Sequence, residues 1–208
     1  MKKIIGLSVA ALLIIGVIGG ATLAYFSDTE SSTNNTLTAG VLDLNIDGGN
    51  VAVTTLTVAA AEPGGSGSGS STLTNVGSMT GELDISTSPV INTGAVSGTS
   101  EYADDSGDLG AVAQIAMYLD IDQSGTVTAG DIGLQSDGTT YDPTGGLAYD
   151  VVDNYASEVW NEVITSMVSS ASDDIVILWQ VPAGAGNSIQ GDSVSFDITF
   201  TLEQADVD

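Results

Sequence analysis

Ser193-Val194-Ser195-Phe196-Asp197-Ile198-Thr199-Phe200-Thr201-Leu202 alternates without a break, apolar on one parity and Ser, Asp or Thr on the other. Successive side chains of a strand point to opposite faces, so this stretch predicts a β-strand with one face in a core and one in water. Upstream segments read the same way. Asp174 to Val181 is a short apolar run and predicts a strand buried on both faces, and Ala111 to Leu119 predicts a central strand. Glu82-Leu83-Asp84-Ile85-Ser86 alternates until Pro89, and Val51 to Ala61 is β-branched. Leu37 to Val41 and Leu42 to Asp47 alternate on opposite parities, with Gly40 as a bulge where the face changes.

Between these lie turn and loop signals. Gly48-Gly49-Asn50 is a turn, and Pro63 to Ser70 is loop-like. Residues 92–150 form a loop-rich insertion around the 111–119 strand, with turns at Asp137-Gly138 and Pro143-Thr144-Gly145-Gly146. One segment changes period: Val152, Tyr155, Ala156, Val159, Trp160, Val163, Ile164 and Met167 recur at three and four, which predicts an amphipathic helix. The expected fold is all-β, a jelly-roll-like antiparallel β-sandwich over residues 25–208, with one helix in a connection and a hydrophobic signal helix before it.

That leader carries Lys2 and Lys3, then no charge from Ile4 to Ala24. Thr22 and Ala24 stand at −3 and −1 of a cut between Ala24 and Tyr25, the small-x-small pattern that signal peptidase reads. Residues 1–24 therefore read as a signal peptide, and the protein as secreted, extracellular and at the cell surface. The competing reading is a retained span, since roughly 20 apolar residues can cross a bilayer. It would make the protein a membrane-anchored surface coat or binding module.

The 208 residues hold 27 Asp and Glu, two lysines, and no Arg, His or Cys. Both lysines leave with the leader, and every acid lies after Ser27, so the mature chain can form no side-chain salt bridge. Nucleic acid and anionic membrane surfaces are excluded as main partners, because both need Lys or Arg. A membrane is met only through the leader before cleavage. The acidity fits a salty or cation-rich exterior, and equally the need of an abundant secreted protein to stay soluble. Without disulfides, the domain must hold itself by its core or by assembly.

Residues 25–37 are polar apart from Tyr25, Phe26 and Leu37, and compose an arm too polar to fold alone. Asn34-Asn35-Thr36 is a glycosylation sequon at Asn34, which can equally stay unoccupied. Further on, Asp120-Ile121-Asp122-Gln123-Ser124-Gly125-Thr126-Val127-Thr128-Ala129-Gly130-Asp131 has the spacing of a twelve-residue calcium loop. Asp120, Asp122, Ser124, the Thr126 carbonyl, Thr128 and Asp131 would supply oxygens, and Gly125 the sharp turn between them. Asp131 stands where a longer Glu is usual, and a strand precedes the loop rather than a helix. The other reading is an acidic hairpin loop.

The run Tyr25-Phe26-Ser27-Asp28-Thr29-Glu30 after a leader ending in a small residue resembles the processing site of the TasA/camelysin family of secreted fibre-forming proteins. Pro63-Gly64-Gly65-Ser66-Gly67, Leu73-Thr74-Asn75-Val76-Gly77-Ser78, and the closing strand from Asp192 with Glu203-Gln204 resemble family motifs too. The resemblance covers the leader, 25–86 and 174–204, and is weak over 92–150. It implies a structural subunit of an extracellular fibre, pilus or biofilm matrix. The segment freed by signal peptidase would be donated as a strand to the next copy, with Tyr25 and Phe26 as anchors. The partners are then the chain itself, as a head-to-tail homopolymer, and signal peptidase. Camelysins have also been classed as metallopeptidases. This chain has no His for a His-Glu-x-x-His zinc site and no nucleophile paired with a base, so the expectation is no enzyme.

Overall fold

The computed structural model describes residues 40–49, 53–59, 62–94 and 109–204. The chain divides into two units, Met1–Thr38 and Ala39–Asp208. The leader, the Ala24–Tyr25 bond, the residues 25–37 with Tyr25 and Phe26, and Asn34 lie outside the described residues.

The strands are β1 (Leu44–Ile46), β2 (Val53–Ala59), β3 (Ser66–Asn75), β4 (Gly81–Thr87), β5 (Ile91–Thr93), β6 (Gln114–Asp120), β7 (Ile132–Leu134), β8 (Thr140–Tyr141), β9 (Asp150–Val151), β10 (Val159–Met167), β11 (Ser172–Gln180) and β12 (Ser193–Gln204). One sheet runs β1-β3-β11-β6-β7-β8, with β9 also on β6; the other runs β10-β4-β12-β2, with β5 also on β12. Every pairing is antiparallel. From β2 to β4 and from β10 to β12 the chain crosses between sheets at each step, the winding of a jelly-roll-like sandwich. Leu73, Ile115, Met117, Leu119, Ile175 and Ile177 of one sheet meet Leu83, Ile85, Trp160, Phe196, Ile198 and Phe200 of the other in one core. The alternation of β12 holds, with Val194, Phe196, Ile198 and Phe200 buried.

The helix expected over 152–167 is not formed. Val152–Tyr155 is a short 3₁₀ turn, and Val159–Met167 is a strand. Its pairing with β4 explains the misleading period. Trp160, Ile164 and Met167 stand opposite Ile85, Leu83 and Gly81, with register shifts between them. Each bulge adds residues to one strand only. Inward positions of β10 thus fall at Trp160, Val163 and Met167, three and four apart as on a helix face. Glu162 takes φ +51° within this bulged stretch, and its N–H donates to Asp84 Oδ1 at 2.6 Å. The single α-helix among the described residues is α1, Leu109–Val112, in the connection from β5 to β6.

Four further expectations change. The Gly/Ser run is no loop: after a turn at Pro63-Gly64, Ser66–Asn75 is strand β3. Glycine is needed there, because a Cβ on Gly67 would lie 2.7 Å from the Trp179 indole. β11 is central, yet only one face is sealed, with Ile175 and Ile177 buried and Val176 and Leu178 half-buried. The strand buried on both faces is β6, where Ala116 and Tyr118 are covered as fully as Ile115 and Met117. The 92–150 segment is therefore no mere insertion, since it supplies this central strand together with β7, β8 and β9. The switch expected at Gly40 is not a bulge in a strand, since residues 40–43 lie outside the ladders.

The Leu73-Thr74-Asn75-Val76-Gly77-Ser78 run acts as a clamp. Asn75 is fully buried, and its Nδ2 donates to the carbonyls of Met79 and Met167, each at 2.8 Å. Its Oδ1 accepts the Gly77 N–H at 3.0 Å. One side chain thus closes the β3–β4 turn and ties β3 to β10 of the other sheet.

Asp173 is the misfit in this end of the sandwich. Burial, then the charge of Asp174, pushes its carboxyl up to about 6. A carboxyl whose folded value exceeds its unfolded one binds its proton better when folded. Its contribution therefore worsens as pH rises from about 4 to about 6 and is constant above. Asp173→Asn should gain about 1–2 kcal/mol over the parent at pH 7.5, and that gain should vanish by pH 4. Denaturant unfolding at both pH values checks this, and a pH-independent difference would refute it.

Candidate functional site

The β6–β7 hairpin carries the acidic loop. Met117, Tyr118 and Leu119 pair with Leu134, Gly133 and Ile132, so the twelve residues from Asp120 to Asp131 close between two strands. Asp120 ends β6 with 1% exposure, Asp131 is 5% exposed and Asp122 is open to solvent. One carboxylate oxygen from each of the three lies within 4.8 Å of the others. Gly125 makes the turn with φ +73°, a conformation that disfavours any side chain.

Backbone donors hold the acids in place. Asp120 Oδ1 accepts from Ser124 N at 3.1 Å and its Oδ2 from Gly125 N at 2.7 Å. Asp131 Oδ1 accepts from Ile121 N at 3.0 Å and its Oδ2 from Thr128 N at 2.7 Å. Thr128 Oγ1 donates to Asp122 Oδ2 at 3.1 Å, and Ser124 Oγ donates to the Thr126 carbonyl at 2.8 Å. All six sequence-predicted ligands therefore sit in one hydrogen-bonded loop, with the three carboxylates converging. Hydrogen bonds from the Ser124 side chain, Thr128 and the Ser124 N–H hold Asp122 below the usual carboxylate range against desolvation. Burial, then the charges of Asp120 and Asp131, raises the Tyr118 phenol.

The donor set is oxygen only and could hold a metal ion. Carboxylates, hydroxyls and a carbonyl are hard ligands suited to calcium, and each carboxylate oxygen keeps a lone pair beyond its N–H bond. With no His or Cys in the chain, a nitrogen- or sulfur-liganded zinc site has no donors. Sequence reasoning missed Asp174, which stands opposite Asp120 across the β6–β11 ladder and accepts from Gln123 Nε2 at 3.2 Å.

A second feature lies at the other sheet edge. β1 covers only Leu73–Asn75 of β3, and Asp47 pairs with Thr72 through its N–H and side chain. Among the described residues nothing pairs with the outer edge of Ser66–Ser71, and β2 likewise has only β12 beside it. Between these two edges opens a cleft of about 100 Å³, lined by Thr54, Thr55, Leu56, Gly69, Ser70, Ser71, Ile175 and Ile177. A Cβ on Gly69 would touch nothing within 4 Å, so the cleft floor is open there. No acid occurs from Gly48 to Ala61, from Pro63 to Gly81, or from Ile175 to Gly191. This edge was hidden in sequence, because the Gly/Ser run carries no strand signal of its own.

Among the described residues no helix is long and apolar enough to cross a membrane. The family model described as camelysin metallo-endopeptidase matches residues 1–208. No curated protein matches the chain.

Proposed function

Because the chain belongs to the camelysin family, whose members are secreted or associated with the cell surface, we propose that it is a structural subunit of an extracellular fibre. Signal peptidase frees residues 25–208, and each copy donates residues 25–37 to the next. The observation that carries this reading is the unpaired, acid-free edge of β3 beside β2. An exposed edge invites added strands. Here the edge segment itself carries no acid, with Asp47 bound at its Thr72 end and Asp197 bound to Thr55 of the neighbouring strand. A donated strand gains on the order of 0.5–1.5 kcal/mol per backbone hydrogen bond. Phe26 or Tyr25 against Leu56, Ile175 and Ile177 adds roughly 1.5–3 kcal/mol per buried ring. Strand addition through backbone pairing with side-chain anchors is a known recognition mode.

Deleting residues 25–37 from the secreted chain should abolish fibres in negative-stain microscopy while leaving a folded β-rich subunit. Fibres of the parent repeat from the deleted chain would refute arm donation. A parent surface protein whose mass begins at Met1 would instead support the anchored coat. The family's name is that of a metallo-endopeptidase, but the acids of this chain lack a partner His, so the same preparation should leave casein uncut.

We infer that the β6–β7 loop takes calcium. The short Asp131 and neutral Ser124 make the affinity modest. At calcium 100-fold above Kd, binding should add about 2.7 kcal/mol of stability. Calorimetry should find this site in the parent and lose it when Asp120→Asn and Asp122→Asn are combined. Equal melting of parent and double variant, with and without chelator, would reduce the loop to a hairpin.

A further inference from the structure

On the outer face of β6 a tyrosine stands two residues before the first acid of the calcium loop. Ile115, Met117 and Leu119 face the core between the sheets, so Ala116, Tyr118 and Asp120 share the opposite face. The register continues this face onto the neighbouring strands. Asp174 of β11 stands opposite Asp120, and Val176 opposite Tyr118. On the other side Gly133 of β7 stands opposite Tyr118, and Tyr141 of β8 opposite Gly133. A Cβ on Gly133 would collide with the Tyr141 ring, so that ring lies over the glycine, in the row of Tyr118. Tyr118 is sealed in this row, with 4% of its surface exposed.

The Tyr118 hydroxyl is the exception in its surroundings. A buried tyrosine hydroxyl usually has a hydrogen-bond partner. Asp120 and Asp131 each accept two backbone N–H bonds, Asp122 accepts from Thr128, and Tyr141 Oη accepts from Ala148 N–H at 2.7 Å. Among the described residues no such bond reaches Tyr118 Oη. Every fully enclosed polar side-chain atom among them has a partner, so Oη is the part of Tyr118 that meets solvent. Besides burial, the charges of Asp120 and Asp131 both act on this phenol. Its tip therefore opens beside the carboxylates of the loop.

We propose that Tyr118 is a positioning residue of the cation site, its hydroxyl holding a water molecule bound to the calcium ion. The proposal rests on the calcium reading above and adds to it a residue outside the twelve-residue loop. Calcium takes roughly six to eight oxygen ligands. The loop offers six, with Asp131 too short to reach for two and Ser124 Oγ turned to the Thr126 carbonyl. Water fills the remaining positions. A water on calcium is polarised and donates strongly, and the phenol oxygen can accept from it. The phenol O–H is then free to donate to Asp120, whose carboxylate keeps lone pairs beyond its two N–H bonds. Contacts of this outer kind orient the ligands of a metal and tune its affinity. The hydroxyl gains its partner when the ion brings its water.

The test titrates the full secreted chain with calcium alone. Tyr118→Phe keeps the ring and removes only the hydroxyl. In chelator the variant should melt as the parent does, since no protein group loses a bond. Calorimetry should show calcium binding about tenfold weaker in the variant, at the low end of the effect of removing such outer contacts. Calcium should also shift the near-ultraviolet tyrosine absorption of the parent, and Tyr118→Phe should abolish that shift. Equal calcium affinity in variant and parent overturns the proposal. So does a variant that melts lower in chelator as much as in calcium, because the hydroxyl is then structural. A spectral shift that survives in Tyr118→Phe refutes the placement of this hydroxyl at the ion's water. A parent that binds no calcium ends the calcium reading itself, and this proposal with it.

Discussion

Trp160→Ala is expected to cost about 3–5 kcal/mol, the usual range for emptying a buried aromatic site. That is a large share of the roughly 5–15 kcal/mol that holds a domain folded. Trp160 is fully buried in β10, packs at 6.4 Å between ring centroids from Tyr155, and donates from Nε1 to the Gln135 carbonyl at 2.9 Å. Alanine would leave a cavity between the sheets and strand that carbonyl. The neighbouring Val159 is 51% exposed, so Val159→Ala should stay within about 0.5 kcal/mol. Denaturant unfolding measures both. A cost below about 1 kcal/mol at Trp160 would mean that β10 does not pack as described.

Asn75→Ala should cost about 2–4 kcal/mol, because it leaves the Met79 and Met167 carbonyls and the Gly77 N–H without partners in a buried turn. The nearly isosteric Asn75→Asp should cost at least as much. Aspartate keeps the acceptor for Gly77 but cannot donate, and it would aim a buried charge at two carbonyls. Urea unfolding of the two variants separates shape from hydrogen bonding. If Asn75→Asp matched the parent, the two carbonyl contacts would carry no weight.

These two residues also divide what was legible in sequence from what was not. Asn75 was visible as part of a motif, but nothing along the chain said that its amide reaches Met167, 92 residues away. Trp160 lies on the apolar stripe that its spacing marks, and it is core. Its secondary structure was misread because two register shifts against β4 gave a strand the spacing of a helix. A bulge is a relation between two strands, so no pattern within one strand can distinguish it from a helical turn.

Strict alternation by itself determined β12 and β4, since a period of two has no helical counterpart. The spacing of oxygen donors around Gly125 by itself determined the acidic loop, because all its partners are local. Composition by itself determined that residues 4–208 can form no side-chain salt bridge among themselves. The open edge of β3 was decided only in three dimensions. Ser66 to Ser71 has no strand propensity to read, and it is extended because Ile175 to Gln180 of β11 pair with it and the Trp179 indole lies against Gly67. Local sequence dictates structure where a segment's own side chains satisfy it. Where glycine and serine leave the backbone undecided, the neighbouring strand decides.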